Sequence, residues 1–147
     1  MSEWTTNLLT GLAEILAAGV EDAAWRPDGP AYTSDEVGIL MRSIPQQPDR
    51  VITLSPYPVA SPVGMADVVQ GVQIRCRGTV DPRVCEDLAD EIFDLLDSAS
   101  RLTLGGVAVV QIYRQSYTSL GQDGNGRWES SSNYYVEAMR ATAHRTD

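Results

Sequence analysis

Apolar residues recur at helical spacing in two stretches of this chain and at every second position in others. Residues 5–19 carry Leu8, Leu9, Leu12, Ile15 and Leu16 as one stripe, with Gly19 as a C-terminal stop. The second helix spans 81–99: Asp81 caps it, Pro82 opens it, and Cys85, Leu88, Ala89, Ile92, Phe93, Leu95, Leu96 and Ala99 form its apolar face. Glu86, Asp90, Asp94 and Asp97 occupy much of the opposite side. Strict alternation marks 68–77, where Val72, Ile74 and Cys76 interleave with Gln73, Arg75 and Arg77.

The remaining segments read less sharply. Residues 20–36 hold Pro27, Gly29 and Pro30 and read as a connection, with a short extended piece at 23–26. Residues 37–44 fit strand or helix. Strand is preferred, because Pro45, Pro48 and Asp49 then turn the chain into a clearer strand at 50–57. Pro56, Pro58, Pro62 and Gly64 suggest a surface loop before the alternating strand. Gly105 and Gly106 lead into a β-branched and aromatic hairpin over 107–140, with a polar, glycine-rich tip at 117–127 and a loose tail at 141–147. The expected fold is therefore α+β in one domain over 1–147. It has the order α-β-β-β-α-β-β and a mostly antiparallel sheet of four to five strands with both helices on one face.

Composition narrows the function. The length suits one compact core, and no apolar run is long enough to span a membrane. Residues 1–6 lack the basic-then-apolar pattern of a secretory signal. A net charge of −9, with no lysine anywhere, offers no basic stripe for a nucleic-acid backbone. Cys76 and Cys85 both fall on apolar faces and read as buried reduced thiols, a strand-to-helix disulfide being the alternative in an oxidising compartment. Two thiols and the single histidine, His144, make zinc a poor fit.

No catalytic set emerges. There is no GxSxG signature, 103–106 lacks the lysine of a phosphate loop, and 121–126 lacks the later glutamate of a calcium loop. No cofactor is called for, and the reading is not an enzyme. Arg75 and Arg77 project from a polar strand face, and Arg114 lies on another strand. They form either a solvated face or an arginine set that meets acidic surface on a neighbouring copy.

Four segments taken together resemble the tail terminator and minor capsid proteins of long-tailed bacteriophages. They are Ile44-Pro45-Gln46-Gln47-Pro48-Asp49-Arg50 running on to Pro56-Tyr57, Gly71 to Gly78, the Asp81-Pro82-Arg83 helix, and Gly121 to Glu129 followed by Asn133-Tyr134-Tyr135-Val136. The resemblance covers roughly residues 37–140 and lies in structural segments, not in an active site. It implies a non-catalytic subunit without cofactors that forms a homo-oligomeric ring, commonly a hexamer, at the head-proximal end of the tail tube. Such a ring ends tube growth and joins the tail to head-completion proteins. It implies residence in the virion neck, after assembly in the host cytoplasm. A head-completion or stopper protein is the nearest alternative, and a small intracellular enzyme or ligand-binding domain the more distant one.

A ring contact is head-to-tail, so two different faces of each subunit must match. Arg75, Arg77 and Arg114 against Asp90 and Asp94 are the expected subunit contact. Tyr57, Val63, Met65, Gln122, Asp123, Asn125 and Arg127 are the expected contacts with the tail tube protein and the neck proteins. DNA is expected only as a passing occupant of the lumen, not gripped by an acidic wall.

Overall fold

The structure is a computed structural model, and it describes residues 3–146. Two helices, α1 (Trp4–Gly19) and α2 (Pro82–Leu96), pack on one face of a seven-stranded sheet. The strands are β1 (Ala23–Trp25), β2 (Val37–Met41), β3 (Val51–Ala60), β4 (Asp67–Arg77), β5 (Ser100–Leu104), β6 (Val107–Gln122) and β7 (Trp128–Met139). Their order across the sheet is β1-β2-β3-β4-β7-β6-β5.

The expected four- to five-stranded, mostly antiparallel sheet is corrected on two counts. β1 and β5 add strands at both edges, and β1–β2 and β2–β3 pair in parallel. The prolines at 45 and 48 do not make a hairpin turn. Residues 42–50 instead carry the chain back along the length of β2, so that Gly38 aligns with Val51 and Met41 with Leu54. β5 escaped notice because the helical stripe appeared to run on through Ala99. The helix in fact ends at Leu96, Ser98 turns into the left-handed region at φ 68°, and Ala99 accepts from the Ile112 amide as the sheet edge begins.

The helices form for the expected local reasons. The Asp81 carboxylate accepts from the Arg83 amide at 3.0 Å, and Pro82 follows in the first turn. Cys85, Leu88, Ala89, Ile92 and Leu96 are the buried face of α2, and Leu8, Leu9, Leu12 and Leu16 that of α1. Gly19 is not a left-handed stop: it is the last helical residue, and a Cβ there would meet Leu95 at 2.6 Å. It lets the two helices approach. Cys76 and Cys85 are free and buried, and burial pushes both thiols up out of the reactive range.

Pro56 and Pro58 lie inside β3, not in a loop. The Leu54 carbonyl accepts from the Arg42 amide on the β2 side. By alternation, positions 56 and 58 face the same outer side, where a missing N–H breaks no ladder bond. The loop proper is 61–66, and the tail beyond β7 closes over it. The Arg145 guanidinium donates to the carbonyls of Ser61, Pro62 and Met65 at 2.8–3.1 Å, and Thr146 bridges to Met65. Of the expected loose tail, residues 141–146 are therefore anchored, and 147 lies outside the described residues.

Two predictions follow from this packing. Gly105 has φ +56°, and an added Cβ would stand 1.9 Å from the Asn7 carbonyl of α1, whereas Gly106 at φ +82° has open space. Gly105→Ala is expected to cost about 2–5 kcal/mol, and Gly106→Ala only about 1–2, in urea unfolding. In the β1–β2 connection the Glu36 carboxylate takes a two-pronged bond from Arg26 and another from the Thr33 amide. Those bonds hold its pKa at about 2, below the ordinary value of 4.5. The ordering of this connection is accordingly full above pH 4.5 and is lost as the pH falls through about 2. Trp25 fluorescence titrated downward should report that step, and Glu36→Gln should remove it.

Candidate assembly surfaces

The face of the sheet opposite the helices is closed at one end and open at the other. β3, β4 and β7 place Val51, Arg77 and Glu129 in one row across that face, and Thr53, Arg75 and Ser131 in the next. The 42–50 crossover and the 123–127 turn fold over these rows. Arg77, expected on a polar strand face that is either solvated or in contact with a neighbouring copy, is only 3% exposed. Its Nη2 donates to the Pro45 and Pro48 carbonyls at 2.7 and 2.8 Å, and its Nε to the Asp49 carbonyl at 2.8 Å. Burial and the neighbouring Arg127 charge lower its pKa, as expected for a cation removed from water.

Arg127 is the second buried cation, 5% exposed. It donates to Asp123 Oδ2 at 2.9 Å, Gln46 O at 2.6 Å and Asp49 Oδ1 at 3.1 Å. Asp123 also accepts from the Asn125 and Arg127 amides. Burial alone would raise the Asp123 pKa, but these donors outweigh it and hold the carboxyl below its usual value. Asn125 Nδ2 reaches Gln46 Oε1 at 3.2 Å, and Gln122 Nε2 closes onto the Gly126 carbonyl at 3.0 Å. The hairpin tip is thus a short turn between two long strands, locked to the crossover loop. It is shorter than the polar tip expected at 117–127, because β6 runs on to Gln122.

Arg75 bonds Glu129 within the chain at 2.7–2.8 Å. Arg114 lies on the helix side of the sheet, with its guanidinium 4.3 Å from the Phe93 ring and 5.3 Å from that of Tyr117. The three arginines therefore do not form one set on one face. Asp90 and Asp94 are exposed on the outer flank of α2. Tyr57 is a strand residue whose ring covers Gly71 and whose hydroxyl donates to Asn133 Oδ1 at 2.9 Å. Glu129 was missed, because a lone acid near a strand start looks solvent-facing; its alignment opposite Arg77 and beside Arg75 appears only in the register.

Exposed aliphatic side chains gather at the two ends of the sheet. One end carries Val59, Val63, Met65 and Val110, with Val63 97% exposed on the loop that Arg145 anchors. The other carries Ile44, Val80 and Leu120, beside the Arg77–Arg127 knot. At the first end, Ala60, Pro62, Val69 and Val110 line a shallow, mostly apolar groove of about 290 Å³, edged by Asp67 and Glu137. Among the described residues, no group of three or more His, Cys, Asp or Glu side chains is placed to hold a metal ion.

Exposed aliphatic side chains gathered at the ends of a sheet backed by two helices mark candidate contact surfaces for other proteins. The chain matches the bacteriophage tail terminator protein family over residues 18–140 and belongs to that family. It is accordingly a structural tail protein of the virion. A search of curated proteins finds none that matches it. Among solved structures it is similar to a chain from the virion of a native gene transfer agent particle. The two share 13% identity and a TM-score of 0.53, over 68% of this chain and 78% of that one, a likeness of fold.

The buried arginine gives a direct test. Arg77→Met removes the donors to the Pro45, Pro48 and Asp49 carbonyls and should destabilise the protein by roughly 3–5 kcal/mol. Arg77→Lys should recover little of that loss, because one ammonium cannot span carbonyls set for a planar fork. Urea unfolding followed by Trp128 fluorescence measures both.

Proposed function

We propose that this chain forms a ring at the head-proximal end of the phage tail tube, where it ends tube polymerisation and joins the tail to the head-completion proteins. The observation that carries this reading is the pair of exposed aliphatic patches at opposite ends of one sheet, each beside a loop held by arginine. A subunit that stacks on the tube below and on the neck above requires two such ends. Family membership supplies the context.

The role is structural and needs no catalysis. His144 is exposed, and both thiols are buried with raised pKa values. Tail tube protein and neck proteins are the partners, the protein assembles in the host cytoplasm, and DNA passes through the ring without a basic wall to hold it.

Two measurements test the reading. Light scattering should show a species near about six times the 16.0 kDa chain, alone or on tube ends. Added to polymerising tube protein, the chain should fix tube length. Val63→Asp and Leu120→Asp should each weaken a different junction, one to the tube and one to the neck, by about tenfold or more. A monomer that leaves tube length unchanged would overturn the proposal.

A further inference from the structure

The sheet has two long strands whose outer edges run past their neighbours, and the chain treats them differently. β3 outruns β2 beyond Leu54, and there Pro56 and Pro58 remove the outward N–H groups. β6 outruns β5 beyond Ile112, and its overhang Tyr113-Arg-Gln-Ser-Tyr-Thr-Ser-Leu-Gly-Gln122 contains neither proline nor lysine. It is rich in residues that favour strands. Ile112 exchanges backbone bonds with Ser98 and Ala99, and the Arg114 amide donates to Asp97 Oδ1 at 2.8 Å, so both face the outer edge. The irregularity between Arg114 and Ser116 shifts the alternation by one. Ser116 and Thr118 then face β7, and the main-chain groups of Tyr117 and Ser119 face outward. The β3 edge is blunted by proline; the β6 edge presents the outward groups of Tyr117 and Ser119 between irregularities at Arg114/Ser116 and Ser119/Gly121.

The flank beside this open edge is acidic. Glu86, Asp90, Asp94 and Asp97 lie on one side of α2 at helical spacing. That side is fixed against β6 by the Tyr117 hydroxyl on Glu86 Oε1 at 2.6 Å, by Arg114 over Phe93, and by Asp97 on the Arg114 amide. On this flank the Arg114 guanidinium lies over the Phe93 and Tyr117 rings and makes no ion pair with these carboxylates among the described residues. A strand laid along β6 would turn alternate side chains toward them.

We propose that the β6 overhang takes up an extended segment of another protein as an added antiparallel or parallel strand, and that this segment carries arginine or lysine at alternate positions facing α2. A second copy of this chain fits poorly. Pairing two β6 edges about a two-fold axis would bring two acidic α2 flanks together on the same face of the joined sheet. Head-to-tail pairing would need the far edge, where β1 is only three residues long and β3 carries its prolines. The bound strand adds main-chain hydrogen bonds for affinity and charge pairing for selection.

The test uses the whole chain and a fluorescent ten-residue peptide alternating valine and arginine, with a valine–glutamate peptide as control. Anisotropy should show binding of the arginine peptide at least about tenfold tighter than the control, weakening as salt rises. Amide exchange should slow at Tyr117 and Ser119 on binding. Ser119→Pro, which removes an outward donor on an exposed edge, and Asp90→Arg, which leaves the edge intact, should each weaken binding about tenfold. Equal binding of both peptides, unchanged binding by Ser119→Pro, or a concentration-dependent self-association that Ser119→Pro abolishes would overturn the proposal. None of these readouts involves tail tubes, so this inference and the ring proposal fail separately.

Discussion

The guanidinium of Arg77 is the contact on which the arrangement of this sheet depends. Parallel pairing of β2 with β3 requires the chain to leave one end of the sheet and return along it without a helix to cover the path. Residues 42–50 do this across the open face, and such a path exposes a row of carbonyls to a part of the sheet that is otherwise dry. Arg77 meets three of those carbonyls from below, and Arg127 meets Gln46 and Asp49 from the side. Two buried cations near one another would repel. They are tolerated because each donates several hydrogen bonds and because Asp123, Glu129 and Asp49 stand around them.

This knot also explains why the hairpin tip is short and rigid. Asp123 caps its own turn through two amides and holds Arg127, which holds the crossover loop. The tip, the crossover and the end of β4 are therefore one mechanical unit. The loop at the opposite end is fixed by the same device in exposed form, Arg145 on three carbonyls. Ends ordered in this way lose less loop entropy on any contact with another protein.

Much of this fold was legible in the sequence. The α2 stripe with its Asp81–Pro82 start, the alternation of β4, and the hairpin after Gly105–Gly106 all follow local rules and stand where those rules put them. What escaped was non-local. Nothing in Pro45 or Pro48 distinguishes a tight turn from a crossover, since the difference lies in which strand receives the chain. Arg75 and Arg77 share a strand face as alternation requires, yet one is half-exposed and the other buried, because a loop distant in sequence covers only one of them. Arg114 was grouped with them by residue type, although its register opposite Tyr134 sends it to the helix side.

The internal use of arginine shapes what the surface can do. Arg26, Arg50, Arg75, Arg83 and Arg127 pair with carboxylates of the same chain, Arg77 and Arg145 bind carbonyls, and Arg114 and Arg140 lie over aromatic rings. With no lysine to supply mobile positive charge, the excess of acids remains at the surface, concentrated on α2. Two copies therefore repel at long range, and association must be won at close range by apolar side chains or arginines. Such a surface is selective in contact. Its association should be governed by shape at the ends of the sheet, and its choice of partner by positive charge brought to the flank of α2.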